Sequence, residues 1–189
     1  SSSVQSFYAI ADGTSTSGKF YTASTLPTGV TFPVTRSQLN ANTDLLTGIG
    51  SSPSSTMGWY FDLPVTSGIA ERITVDPTAN QGVVAFAGNL PNGSVCSPGG
   101  TGDVYAVSMA TGQSVLVSSS DSSKLIAKAE MTFTGVITDI AIMRVDGKLR
   151  LYVGGNSSDG TPTVVNLPAN LTTAAGAKQL NWRAVQLSN

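Results

Sequence analysis

The stretch that decides the fold is GWYFDLPVTSGIAERITVDPTANQGVVAFAGNLPNGSVCSPGGTGDVYAVSMATGQ, residues 58–113. It contains three short apolar runs with β-branched and aromatic residues, namely WYFDL (59–63), GVVAFA (82–87) and VYAV (104–107). Turn residues bound each run, which is typical of consecutive antiparallel strands. A Thr-Gly-Gln turn and another apolar run follow the third, and this predicts a hairpin of the kind that propeller blades repeat.

Similar patterns extend in both directions from this stretch. Val4–Ala11 alternates and precedes a Gly/Ser/Thr turn, so we expect it to form a hairpin with Lys19–Thr22. Near the other end, two alternating runs flank Asp146-Gly147, which is a turn signal of type I′. We therefore expect a hairpin over Asp139–Gly154. Further strands are expected at Thr163–Leu167 and Gln179–Val185, giving about ten strands in all.

One helix is predicted between Thr35 and Gly48. Thr35 and Gln38 fit a capping box, in which each side chain binds the backbone N–H of the other residue. Three leucines then supply an apolar side, and Gly48 suits a helix end. The predicted fold class is therefore all-β, a partial β-propeller of about two to three antiparallel blades with one short inserted helix.

The composition excludes several classes of function. Charged residues are 11% of the chain, and the 25 serines and 22 threonines make up a quarter of it, which suits the solvent-facing strands of an extracellular all-β protein. The net charge of −1, without a cluster of Lys or Arg, argues against nucleic-acid binding. No apolar run approaches the roughly 20 residues of a membrane helix, so no membrane span is expected.

The residues for several kinds of chemistry are missing from the sequence. Histidine is absent, which removes Ser-His-Asp and Cys-His catalysis and any imidazole metal site. Cys96 is the single cysteine, so it is either a free thiol or half of a bridge to another segment. We therefore predict a protein that is not an enzyme, with no catalytic, metal or cofactor-binding residues in this chain.

Several conspicuous side chains have both a functional and a structural interpretation. Trp59, Tyr60 and Phe61 could form an exposed adhesive patch, but strand alternation favours Trp59 and Phe61 in the core and Tyr60 on the opposite face. Glu71 and its neighbour Arg72 would point to opposite faces of a strand, so we interpret them as ion-pairing residues with other partners. Asp62 is interpreted as a turn cap.

Six pieces of the sequence occur in the order in which a known family has them: VQSFYAI (4–10), RSQL (36–39), GWYFDL (58–63), ER (71–72), CSPGGTG (96–102) and LNWR (180–183). Together they resemble the C-terminal β-propeller of the PilY/PilC family, the type IV pilus tip-associated adhesins. The third and fifth pieces are the specific ones. The VYAV…TGQ hairpin is shared with quinoprotein propellers and is weak alone.

The resemblance implies that residues 1–189 are the C-terminal portion of a PilY-type propeller in a larger secreted protein, located extracellularly at the pilus tip. It implies a role in pilus assembly with minor pilins and the rest of the tip protein, and in adhesion to host or abiotic surfaces. Family members also carry an acidic calcium loop. The aspartates here are scattered, without the closely alternating carboxylates of such a loop, so we expect that loop in a missing N-terminal part or not at all.

With little charge to steer a partner, recognition should depend on loops. The candidate partner-contact loop contains Asn92, Ser94, Cys96, Ser97 and Pro98, and two further Ser/Pro-rich loops lie at 51–56 and 156–162. Two other classes of function stay open. One is a fragment of a quinoprotein-like propeller dehydrogenase, and the other is a purely structural β-repeat protein of a bacterial surface.

Overall fold

The computed structural model describes residues 3–13, 19–50, 57–92, 99–131, 133, 135–155 and 161–168. Within these ranges the regular elements are eleven strands and one 3-10 turn, η1 (Arg36–Gln38). The strands are β1 (Ser6–Ile10), β2 (Asn40–Ala41), β3 (Gly58–Asp62), β4 (Val65–Thr66), β5 (Ile69–Ala70), β6 (Thr78–Asn80), β7 (Val83–Pro91), β8 (Gly100–Ser108), β9 (Asp139–Val145), β10 (Lys148–Gly154) and β11 (Thr163–Asn166). The all-β class is confirmed.

The strands form four small sheets, with the orders β1-β3-β2, β4-β5, β6-β7-β8 and β11-β10-β9. All neighbours are antiparallel except β2, which runs parallel to β3. The longest pairing joins β7 and β8 in continuous register from Val83–Ser108 to Pro91–Gly100. This pair is the central layer of the described structure, because it contributes residues to both hydrophobic clusters.

Strand alternation explains how one strand contributes to two clusters. Val83, Ala85 and Ala87 of β7 face a cluster shared with β9, β10 and β11, whereas Val84 and Phe86 face a second cluster. Both sides of β7 are therefore buried, which agrees with its nearly continuous apolar sequence.

The second cluster is aromatic and joins β1 and β3 to the central layer. The rings of Phe7 and Phe86 stack with centroids 4.2 Å apart, and Phe86 stacks on Tyr105 at 5.0 Å. Trp59 lies beside Phe7 with a centroid distance of 5.6 Å. Aromatic side chains bury more apolar surface than most others, so this cluster attaches the N-terminal strand firmly to the centre.

The hairpin predicted over residues 139–154 is confirmed. β9 and β10 pair from Asp139–Gly154 to Val145–Lys148, and the turn residues Asp146 and Gly147 have φ angles of 51° and 75°. Positive φ at both central positions is the requirement of a type I′ turn. The strand at Thr163–Asn166 is also confirmed, since β11 pairs with β10.

The predicted helix over Thr35–Gly48 is wrong. The capping box of Thr35 and Gln38 does form, with Gln38 Oε1 accepting a hydrogen bond from the backbone N–H of Thr35 at 2.8 Å, but only one 3-10 turn follows. The chain then extends as β2, where the Asn40 side chain donates to the carbonyl of Gly58 at 2.8 Å. Asparagine side chains bond to backbone groups readily, and asparagine is unfavourable in the interior of a helix. Pairing with β3 is therefore preferred over the helix that the local sequence predicts.

Of two further predicted hairpins, one is wrong and one is shorter than expected. Lys19–Thr22 makes one isolated bridge, between Gly13 and Phe20, while β1 pairs with β3 instead. Across the Thr-Gly-Gln turn, pairing is limited to the antiparallel bridge of Val107 with Ser114 and adjacent backbone hydrogen bonds, and no regular strand follows. In the first case the aromatic partners of Phe7 lie far away in the sequence, and a local pattern does not reveal them. The strand expected at Gln179–Val185 lies outside the described residues.

Candidate functional site

The outer face of the β1-β3-β2 sheet carries a polar and aromatic cluster centred on Arg36. Its Nη2 donates to both carboxylate oxygens of Asp62, at 2.6 and 2.8 Å. Its Nη1 donates to Ser6 Oγ at 2.8 Å and to Tyr8 Oη at 3.1 Å. The guanidinium carbon lies 3.8 Å from the centre of the Tyr60 ring. The planar guanidinium therefore makes a bidentate ion pair and a cation–π contact at once. We call these five residues the Arg36 cluster.

Within the Arg36 cluster, Arg36 and Asp62 each stabilise the charged form of the other. The hydrogen bond from Arg36 lowers the pKa of Asp62, and the same bond raises the pKa of Arg36. Asp62 is therefore an ion-pair acceptor rather than the turn cap that the sequence suggested. Because both side chains remain nearly half exposed, the pair adds only about 1 kcal/mol to stability.

The Arg36 cluster connects an irregular segment to the sheet, which leads to a first prediction. The backbone hydrogen bonds that start within residues 22–30 are local turns, such as Thr25 to Thr22. Replacing Arg36 with Ala should therefore release this segment and raise the rate of limited proteolysis within residues 22–39 several-fold. The melting temperature should fall by only a few degrees, as expected for about 1 kcal/mol.

The matched control is Arg144→Ala. Arg144 is an exposed arginine whose Nε donates to the carbonyl of Gly147 in its own hairpin turn. Its loss should leave cleavage within residues 22–39 unchanged. Equal cleavage rates for wild type and Arg36→Ala would show that the Arg36 cluster does not hold the segment.

A second cluster is buried between the central layer and the segment after β5. Glu71 is only 3% exposed, and Tyr105 Oη donates to its Oε2 at 2.8 Å. Asp103 acts on this carboxyl electrostatically, and Lys128 pairs with Asp103 at 2.5 Å. Burial raises the pKa of Glu71 to about 7, against the opposing effect of the Tyr105 hydrogen bond. We call these four residues the Glu71 cluster.

The structure corrects the interpretation of Glu71 and Arg72 as ion-pairing residues. In the part of the chain that is described, the two ion pairs are Arg36–Asp62 and Lys128–Asp103. Glu71 is a hydrogen-bonded buried carboxyl, and Arg72 forms a backbone bridge with Asn89. The described ranges contain no group of three or more residues that could hold a metal ion.

The base of the candidate contact loop borders a groove. The groove has a volume of about 470 Å³. The β4–β5 hairpin forms one wall, and the adjoining ends of β7 and β8 form the other. The lining residues are Thr66, Ser67 and Ile69 on the first wall, and Leu90, Pro91, Asn92, Gly99, Gly100 and Thr101 on the second. The backbone N–H of Asn92 donates to the carbonyl of Gly99 at 3.0 Å and closes the base of the loop. Ser94, Cys96, Ser97 and Pro98 lie outside the described residues, as do residues 51–56.

The aromatic residues of β3 divide as strand alternation predicts. Trp59 is 1% exposed and its Nε1 donates to the carbonyl of Met109 at 3.0 Å, while Phe61 approaches Tyr105 at 5.9 Å. Tyr60 points to the other face, where Arg36 stacks on it. The prediction of a core role is confirmed for Trp59, whereas Phe61 is half-buried and packs against the edge of the same cluster.

Sequence reasoning missed the buried asparagines. The Asn89 side chain donates to Thr74 Oγ1 at 2.7 Å and to the carbonyl of Ile137 at 2.9 Å, and accepts from the N–H of Ile137. Asn42 donates to the carbonyl of Gly112 at 2.9 Å. An asparagine inside an apolar strand, as in VVAFAGNL, is a usable signal for such a buried link, although it does not reveal the partner.

Comparison with known proteins finds no match: no protein-family model, no curated protein and no solved structure aligns significantly with this chain. In the described ranges no helix is long and apolar enough to cross a membrane. A functional assignment therefore depends on the clusters above and on the sequence pieces that form them.

Proposed function

We propose that this chain is a contact module of a type IV pilus tip-associated protein, and that it acts in pilus assembly and in adhesion without catalysis. Its sheets are proposed to be blades of a partial β-propeller. Its partners are proposed to be minor pilins, the rest of the tip protein, and a host or abiotic surface outside the cell.

The observation that carries the proposal is that three of the family-like pieces meet in the Arg36 cluster. Ser6 and Tyr8 belong to VQSFYAI, Arg36 belongs to RSQL, and Tyr60 and Asp62 belong to GWYFDL. The hydrogen-bonded residues of the cluster lie 26 to 56 positions apart in the sequence. If the pieces matched the family only by chance, there would be no reason for them to lie next to each other in the folded chain. Pieces inherited together from one fold are expected to contact each other.

The proposed contact surface is the loop after Asn92 together with the groove at its base. The groove combines apolar side chains, Ile69 and Leu90, with hydroxyl groups of Thr66 and Ser67. Such a lining suits recognition by shape and hydrogen bonds, as expected for a nearly neutral protein. The hydrogen bond between Asn92 and Gly99 allows the loop to be exchanged without disturbing β7 and β8.

The proposal is tested in the organism that encodes the chain. Its gene is deleted and restored either as wild type or with residues 93–98 replaced by a short Gly-Ser linker. Deletion should remove most surface pili and most attached cells. The linker variant should reduce pilus number or attachment several-fold, while the amount of folded protein stays near the wild-type amount.

The outcomes distinguish the three classes of function. Normal pili and attachment after gene deletion would overturn the proposal. Normal function of the linker variant would exclude this loop as the contact surface. Quinone-dependent reduction of an electron acceptor by the purified protein would favour the dehydrogenase alternative, and loss of surface integrity alone would favour the structural protein.

A further inference from the structure

We propose that the Glu71 cluster binds one proton that controls how the β4–β5 hairpin docks on β7, and thereby the shape of the groove beside Asn92. The proposal is independent of the pilus assignment, since it concerns the contacts of this chain alone.

The position of the carboxyl leaves it little contact with bulk water, since Glu71 is only 3% exposed. A Cβ atom added at Gly88 would lie 2.2 Å from Glu71 Oε2 and 2.9 Å from a methyl carbon of Leu63, so the carboxyl fills the space that a side chain at residue 88 would take. A bare carboxylate in such a position is costly, and a neutral carboxylic acid is preferred.

The hydrogen bonds around Glu71 are consistent with a neutral acid. Tyr105 donates to Oε2, which acts as the carbonyl oxygen, and a proton on the other carboxyl oxygen removes the repulsion between Glu71 and the negative charge of Asp103. Lys128 donates to Asp103 and balances its negative charge. With Glu71 neutral, Asp103 and Lys128 therefore form a matched pair beside it.

The titratable groups that face Glu71 come from two neighbouring segments. β8 contributes Asp103 and Tyr105, and the segment after it contributes Lys128. β7 contributes Gly88, which has no side chain. When the pH rises, the proton leaves Glu71 for solvent, and two carboxylates then share one lysine.

Glu71 is placed where this change affects the groove. It directly follows β5, its N–H donates to the carbonyl of Pro64 at 3.0 Å, and the next N–H, of Arg72, donates to the carbonyl of Asn89 at 2.9 Å. These two bonds close the β4–β5 hairpin and attach it to β7. Thr66, Ser67 and Ile69 of the hairpin form one wall of the groove, so loosening these bonds would move that wall.

The direction of the pH effect follows from the two states of Glu71. Its pKa is about 7 when the hairpin is docked, against an ordinary value of 4.5 when the carboxyl is exposed. A raised pKa in the docked state means that docking is strongest below pH 4.5 and weakens as the pH rises to about 7. Hydrogen bonds from serines lower the pKa of Glu130 to about 2, so Glu130 titrates well below the pH range in which Glu71 changes charge.

Hydrogen exchange tests the proposal directly. Exchange is measured at pH 5 and at pH 8 and corrected for the intrinsic exchange rate. For the peptide that contains the amides of residues 71 and 72, the protection factor should be at least tenfold lower at pH 8, because one unit of pKa difference corresponds to a factor of ten. Glu71→Gln should abolish this pH dependence, and Glu130→Gln should leave it unchanged. Equal protection at both pH values in wild type, or an unchanged pH dependence in Glu71→Gln, would overturn the proposal.

A second measurement covers the case in which Glu71→Gln does not fold. The chain contains two glutamates, Glu71 and Glu130, so labelling glutamate with ¹³C gives two carboxyl signals and the exposed residue serves as an internal control. One signal should titrate near pH 7 and the other near pH 2. If both signals titrate below pH 5, Glu71 is not held as a neutral acid and the proposal fails.

Discussion

Replacing Leu151 with Asp should unfold the region built on β9, β10 and β11. Leu151 is 0% exposed, pairs with Ile142 across the hairpin, and belongs to the cluster shared with the central layer. Aspartate there would lose the apolar contacts and bury an unpaired charge, so the expected loss of stability is about 4 kcal/mol or more. Chemical denaturation followed by circular dichroism measures it, and soluble yield gives a first indication.

The hairpin provides its own control in Met143→Asp. Met143 lies on β9, one residue after Ile142, and is 45% exposed on the opposite face, across from Arg150. The new carboxylate would be solvated there, so stability should change by about 0.5 kcal/mol or less. Similar unfolding midpoints for the two variants would mean that Leu151 is exposed to solvent and that the core side of the hairpin is wrongly assigned.

The hairpin also illustrates what could be predicted from the sequence. Asp146-Gly147 between two alternating runs specifies turn, register and buried face together, because each is a local property of the chain. The long apolar run of β7 is likewise local information. The bounds of β3 and β11 therefore agree with the sequence prediction to within one residue, whereas β8 begins at Gly100, four residues before the predicted run.

The errors concern partners that are distant in the sequence. β1 was matched to the nearest strand-like segment, whereas Phe7 stacks on Phe86, 79 residues later. The Thr35–Gln38 signal for a helix start was present, but the Asn40 bond to β3 decided the conformation of the next residues. Tertiary contacts outweigh local propensity where the local preference is weak.

The candidate site was predictable only in part. The sequence singled out Arg36, Asp62 and Glu71 as members of conspicuous pieces, but it gave none of their partners. Strand alternation separates Glu71 from Arg72 and suggests an ion pair with another partner, but the burial of Glu71 follows from Gly88 leaving room on the neighbouring strand. A missing side chain on another strand is a property of the assembled fold rather than of the sequence around Glu71.

Replacing Trp59 with Ala should detach the sheet of β1, β2 and β3 from the central layer. Trp59 is 1% exposed, lies beside Phe7, and donates its Nε1 hydrogen to the carbonyl of Met109. Its aromatic surface is also covered by the turn at Gly112, where an added Cβ would lie 3.1 Å from the ring. Truncation leaves a large cavity, so the expected loss is about 3–5 kcal/mol, or roughly 10 °C in melting temperature.

Two further variants separate the contributions to this loss. Trp59→Phe keeps an aromatic ring but removes the bond to Met109, and should cost clearly less than the Ala variant. Tyr60→Ala removes the next residue, whose ring lies on the outer face under Arg36, and should cost only about 1 kcal/mol. If Tyr60→Ala destabilised the protein as much as Trp59→Ala, the two faces of β3 would be reversed, and the Arg36 cluster would belong to the core. The expected order, with Trp59→Ala the most destabilising of the three, would place Trp59 in the core and Tyr60 with the Arg36 cluster on the outer face.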